Sequence, residues 1–305
     1  MPATSSNLAS YRLGLFFAIT GAIAFAGKAI IIKLAYRYSV DPVTLITLRM
    51  AFALPFFIVL SLWAMRQTHA INNPLSLKDK WGVVGLGFIG YYLSSFVDFL
   101  GLQYITASLE RLILYLSPTM VILLSWMLYK KPIKPIRMLA MVVSYSGVIL
   151  VLGHEIQITG DAVVWGSFLV FLSAVLYACY LVFSGQMVKR IGAMRLVGLA
   201  STAACIFTIT QFFILNNTSN IVVPLPVIHL SILNALVCTV APILLVMLAI
   251  EKIGAGLTSQ VGMIGPLATI GMGVFILGEP FTAWIFAGTA LVLGGVYLAS
   301  KYGDA

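Results

Sequence analysis

The sequence predicts an all-α membrane protein with ten transmembrane helices in two inverted-topology five-helix repeats. Three observations carry that prediction. Hydrophobic residues fill 61% of the 305 positions and charged residues only 9%, with a mean hydropathy of +1.06, whereas soluble domains run at about 45–50% apolar and about 25% charged. Residues 101–152 slide onto 249–300 without a gap, so that Pro118 falls on Pro266, Pro132 on Pro280 and Gly147 on Gly295, each pair 148 positions apart. Finally, Lys and Arg collect in alternate gaps between apolar runs, which is an orientation signal in a membrane rather than a nucleic-acid footprint, despite a net charge of +9.

Runs of bilayer-crossing length, about 20 residues each, follow one another along the chain. The first covers 13–36, opening after Arg12 and closing at Lys33 and Arg37; the second, 43–65, starts behind the turn-forming pair Asp41-Pro42. The third, 81–102, follows the charged stretch from Lys78 to Lys80, and the tight turn near 103–106 leads into the fourth, 106–129. Lys130 to Arg137 separates it from the fifth, 136–153. The second half reads 162–187, 193–215, 225–250, 255–277 and 281–300, giving repeats at 1–153 and 154–305. Gly14 on Gly166 and Ala22 on Ala174 extend the duplication to the first and sixth runs at an offset of 152. The first run is too long for the apolar core of a signal peptide and no small-residue cleavage site follows it, so no cleavable signal is expected.

With the N-terminal side called A, that side carries Arg12, Arg66, Lys78, Lys80, Lys130, Lys131, Lys134, Arg137, Lys189, Arg190, Arg195, Lys252 and Lys301. The opposite side, B, offers Lys33 and Arg37. Positive charge marks the cytoplasm, so both termini are expected there, with 216–220 outside. Five helices per half make the second half enter from the other side, the inverted arrangement of many secondary transporters.

Asp41-Pro42 followed by Leu48-Arg49, the steps Ser117-Pro118 and Gly265-Pro266, and Leu277-Gly278-Glu279-Pro280 together resemble the drug/metabolite transporter superfamily, within it the two-repeat EamA type. The resemblance implies ten helices, cytoplasmic termini, a central cavity between the repeats and transport, often export, of small metabolites such as amino acids in a bacterial inner (plasma) membrane. This chain departs from the pattern at Lys130-Lys131, where the family's first repeat has Gly-Glu before the proline, and at Glu110-Arg111, where it is mostly small or apolar.

Ionisable side chains at membrane depth are expensive and mark pathways or mutual pairs. Five stand out: Lys28, Arg49, Asp98, Glu110 and Arg111, all in the B-side half. Either Asp98 or Glu110 pairs with Lys28 or Arg111 and the cluster is structural, or a cation receives a substrate carboxylate and an acid its amine, with Lys28 and Glu110 the first choices. Arg49, nearer the interface, is expected to snorkel. Tyr91, Ser94, Ser95 and Asp98 share a helical face, as do Arg111, Tyr115 and Pro118. Tyr177 and Tyr180 fall opposite Lys28 in the repeat register and are either pocket walls or packing; Gln260, Ser259, Asn234, Cys238 and Thr239 are lesser polar candidates.

The expected function is secondary transport, as exporter or facilitator, of a small amphipathic metabolite by alternating access. A proton-driven exporter of lipophilic cations is the alternative, and an intramembrane enzyme is disfavoured because no nucleophile–base pair lies at membrane depth. Cys179, Cys205 and Cys238 sit singly in apolar stretches, the three histidines are far apart, and Gly21 to Lys28 lacks a phosphate loop's spacing. The partners are then a small-molecule substrate and the lipid bilayer, with no nucleic acid, metal or cofactor, and a monomer is compatible with everything above.

Overall fold

A computed structural model describes residues 5–67, 74–130, 132–215 and 223–301, with side chains at 5–9, 159, 255, 256, 259, 300 and 301 outside the description. The 216–220 segment, His69, Lys131 and the Ser259 side chain therefore lie beyond it. Every regular element among the described residues is helical. Ten apolar segments run in order: α1 Ser5–Tyr36, α2 Pro42–Met65, α3 Leu77–Gly101, α4 Ala107–Tyr129, α5 Pro135–Thr159, α6 Ala162–Ile191, α7 Ala193–Leu215, α8 Leu225–Gly254, α9 Gln260–Leu277 and α10 Ala283–Lys301. All but α10 contain an apolar helix of at least 18 residues, enough to cross a bilayer.

Local chemistry sets the boundaries. Asp41 accepts a hydrogen bond from the Thr44 amide at 2.9 Å and Pro42 opens α2, a preorganised N-terminus that satisfies an otherwise orphan donor. Ser76 and Asp79 form a reciprocal capping box on α3. Thr106 caps α4 through the Leu109 amide. Helix α9 ends on Gly278, whose φ of 75° suits glycine, whereas the register equivalent at the end of α4 is Lys130 with φ 51°.

The breaks follow the repeat. Helix α4 is interrupted between Leu114 and Ser117, just before Pro118, and α9 is interrupted at Met263, three residues before Pro266. A proline ring removes one amide donor and crowds the preceding turn, which accounts for both. Wider π-helical turns occupy Phe88–Leu93 in α3 and Leu236–Val240 in α8, again starting 148 positions apart.

Close helix contacts are antiparallel. Ser61 meets Thr202 and Gly198 while Thr47 meets Thr208, laying α2 against α7. Gly101 lies against Gly166 and Gly90 against Tyr180, laying α3 against α6; Gly14 lies against Ile253 and Gly27 against Cys238, laying α1 against α8. Between α5 and α10 the backbones approach where Gly147 faces Gly288 and Ala140 faces Gly295; a Cβ on Gly147 would come within 2.6 Å of the Gly288 carbonyl. Exchanging the repeats carries the first of those pairs into the second. The remaining helices group as α3, α4 and α6 on one flank and as α8, α9 and α1 on the other, and the same exchange converts one group into the other.

Candidate functional site

The charged residues singled out in the sequence meet at the seam between these flanks. Lys28 of α1 lies between two carboxylates of the opposite group. Its Nζ donates to Asp98 Oδ2 at 2.6 Å and stands 3.8 Å from Glu110 Oε1. All three are buried. Desolvating an ammonium and two carboxylates is costly unless they offset one another, so this triad is in the first place a mutual neutralisation across the seam.

Arg111, one residue beyond Glu110, is also buried, yet it has no hydrogen-bond or ion-pair partner among the described residues, and its Nε is enclosed and unsatisfied. Aromatic faces hold it instead. The guanidinium carbon lies 5.0 Å from the Phe25 ring centroid and 5.9 Å from that of Tyr115, within cation–π range. Tyr115 is itself anchored by its hydroxyl to the Gly262 carbonyl of α9. Gly265 makes room: a Cβ there would sit 3.1 Å from an Arg111 terminal nitrogen.

Arg49 departs from the snorkelling expected of it. It is buried, 4.8 Å over the Phe99 ring and in the field of Asp98, because α7 and α8 cover the stretch of α2 that the sequence alone leaves near the interface. The stripe on α3 divides. Asp98 turns to α1, whereas Tyr91 and Ser94 turn to α6, where Tyr91 and Tyr180 share a 3.0 Å hydroxyl contact and Ser94 meets Ser173. Tyr177 stacks on Tyr180. These tyrosines lie about two helical turns from Lys28 on the A side, so the register relation between Tyr180 and Lys28 reflects symmetry, not contact. Ser95 is half-buried, and Gln260 is exposed.

Two residues matter that the sequence reading did not put in the site. Phe25 bridges Lys28 and Arg111, and its signal was there: it stands one turn before Lys28 on α1. It is 44% exposed although Ala18 and Ala29 on the same helix are buried, so part of its ring is left uncovered by protein. Glu279, read only as a family motif, reaches across the seam and accepts from the Ala107 amide at 2.7 Å, the Ser108 amide at 3.2 Å and the Ser108 hydroxyl at 2.7 Å. A carboxylate at a helix N-terminus satisfies orphan donors and meets the positive end of the helix dipole. Beside it Lys33 donates to the Leu102 and Ile105 carbonyls, Arg37 to the Leu277 carbonyl, and Thr106 to Glu155. This layer links the two groups on the B side.

Ten apolar helices around charges at membrane depth define an integral membrane protein built for solute transport. The chain belongs to the EamA-like transporter family, whose model matches residues 12–153 and 164–301. It is 31% identical over 280 residues to the uncharacterized transporter YcbK of Bacillus subtilis (strain 168), covering 90% of this chain and 88% of that one. An uncharacterized transporter of Archaeoglobus fulgidus is 25% identical over 271 residues, covering 88% and 92%. A solved crystal structure superposes with a TM-score of 0.65 over 98% of this chain and 99% of its own at 17% identity, a likeness of fold.

Proposed function

We propose that this transporter carries a small amphipathic metabolite, such as an amino acid, by alternating access between inverted repeats 1–153 and 154–305, without chemical change to the solute. The observation that carries the reading is the placement of the charged cluster: it spans the seam between two helix groups that the repeat exchanges. Lys28 and Phe25 come from one group, and Asp98, Glu110, Arg111 and Tyr115 from the other. Rocking the groups about that seam would expose the cluster first to one side and then to the other. Antiparallel contacts at α5–α10 support the inversion, because a two-fold that pairs antiparallel helices lies across them, in the membrane plane.

The Lys and Arg bias supports cytoplasmic termini in a bacterial inner membrane. In this reading the hydrogen-bonded layer of Lys33, Arg37 and Glu279 holds the seam together on the outer side, which favours loading from the cytoplasm and export or facilitated efflux. Tyr91, Ser95, Tyr177 and Tyr180 line the approach in this reading, with Gln260 more peripheral. A cluster of three cations and two acids suits a lipophilic cation poorly.

Counterflow in proteoliposomes tests this. Vesicles preloaded with one unlabelled amphipathic metabolite from a panel should transiently accumulate the labelled form without any ion gradient, and the label should be recovered unaltered. Absence of counterflow across the panel, or conversion of the label, would overturn the reading.

A further inference from the structure

Within the cluster at the seam the formal charges do not balance, and the imbalance has an address. Lys28, Arg49 and Arg111 oppose Asp98 and Glu110, a formal excess of one positive charge. Lys28 is taken by the two acids, and Arg49 lies in the field of Asp98 with its face on Phe99. That leaves Arg111. Lys33, in the next layer towards the B side, has its own carbonyl acceptors and faces Glu155 and Glu279, so that layer supplies no counter-ion to Arg111.

A guanidinium is a planar fork: its faces stack on rings, and its edges donate in pairs to a carboxylate. The faces of Arg111 are occupied by Phe25 and Tyr115, while its enclosed Nε has no acceptor. An unsatisfied charged donor in a water-poor site is costly unless a ligand completes it. Phe25 is 44% exposed, so part of the ring beside this fork is left uncovered by protein. Gly265, without a side chain, leaves room for the fork itself, since a Cβ there would sit 3.1 Å from an Arg111 terminal nitrogen.

We propose that Arg111 is the receptor for a substrate carboxylate and that the carried class is monocarboxylates with an apolar or aromatic body seated against Phe25 and Tyr115. This rests on the transporter reading above and sharpens it. An amine on the substrate is tolerated, since Asp98 Oδ1 and both Glu110 oxygens accept no hydrogen bond, but it is not required, because Lys28 already offsets the charge of both acids. Substrate binding completes the charge balance of the seam, which makes the loaded transporter electrically better suited than the empty one to pass through a dehydrated intermediate.

The test uses four probes with one common body: 3-phenylpropionate (carboxylate alone), phenylalanine (carboxylate and amine), phenylalaninamide and phenethylamine (amine without carboxylate). Binding to the purified full-length protein is measured by calorimetry, and each compound is also tried in counterflow. The expected order places 3-phenylpropionate at least level with phenylalanine, and both of the others weaker by about 100-fold or more, which corresponds to about 2.7 kcal/mol at 1.36 kcal/mol per tenfold. Arg111→Gln should remove the difference between acids and amides, and Arg111→Lys, which keeps the charge but loses the fork, should retain part of it. Melting curves with and without Arg111→Gln confirm that the variant is folded; if it is not, Arg111→Lys alone decides, since an unchanged acid preference there would show that the fork is not used. Preferential binding of the amide or the amine would overturn the carboxylate assignment while leaving the transporter reading intact. Failure of all four to bind would also overturn it, and the separate metabolite panel in counterflow would then show whether transport itself stands.

Discussion

Replacing Lys28 by Met should destabilise this protein more than removing either acid. The reason is positional: Lys28 is the cation within 4 Å of both Asp98 and Glu110, at 2.6 and 3.8 Å. Without it, two buried carboxylates face one another with no cation within 4 Å among the described residues, and breaking a buried pair costs about 3–5 kcal/mol. Asp98→Asn is milder, because Lys28 keeps Glu110 and the new amide oxygen still accepts a hydrogen bond; a cost of about 1–2 kcal/mol follows. The double variant removes both members of the shorter contact. It should therefore cost less than the sum of the singles by roughly 1–3 kcal/mol, the coupling expected of residues in direct contact. Thermal melting in detergent reads this out: at about 2 °C per kcal/mol for a chain of this size, Lys28→Met should melt roughly 6–10 °C lower. Additivity within about 0.5 kcal/mol, or a Lys28→Met protein that melts with the wild type, would refute the neutralised triad.

Other outcomes follow from single positions. Lys130 holds a left-handed conformation with φ 51° where the second repeat has Gly278, so Lys130→Gly should raise stability by about 1 kcal/mol, measured by melting. Gly295→Ala should destabilise by about 1–3 kcal/mol because its Cβ would come within 2.5 Å of the Ala140 carbonyl, whereas Gly294→Ala, with nothing within 4 Å, should be neutral or slightly stabilising. For orientation, a cysteine at exposed Ser39 should react with an impermeant reagent in intact cells and one at exposed Lys78 only after permeabilisation; the reverse would invert the topology.

Much of the architecture was legible because backbone constraints leave sequence traces. The prolines at 118 and 266 and the glycines at 147 and 295 stood out as matched positions of the repeat, and the structure puts helix breaks at 114–117 and 263 beside the first pair and a close helix approach at the second. The π-helical turns in α3 and α8 were not legible, since they carry no periodic signature of their own. The site was half visible. Its five charges stood out against apolar sequence, but which cation meets which acid depends on how helices distant in sequence converge. Sequence alone left Lys28 between a structural pair with an acid and a substrate carboxylate; a 2.6 Å contact gives it to Asp98, while the Arg111 Nε is without an acceptor. Arg49 was misjudged for the same reason, because its cover comes from helices of the other repeat.

The central claim is that the α3, α4, α6 group and the α8, α9, α1 group rock about the charged seam. Spin labels on both ends measure this directly in proteoliposomes, one pair at Lys80 and Lys252 on the A side and one at Tyr104 and Ser39 on the B side, all exposed positions on opposite groups. On adding a carboxylate that binds, the account predicts that the A-side distance distribution shifts shorter as the B-side distribution shifts longer. Distances that stay fixed at both ends, or that change in the same direction, while the ligand is bound and transported would contradict it.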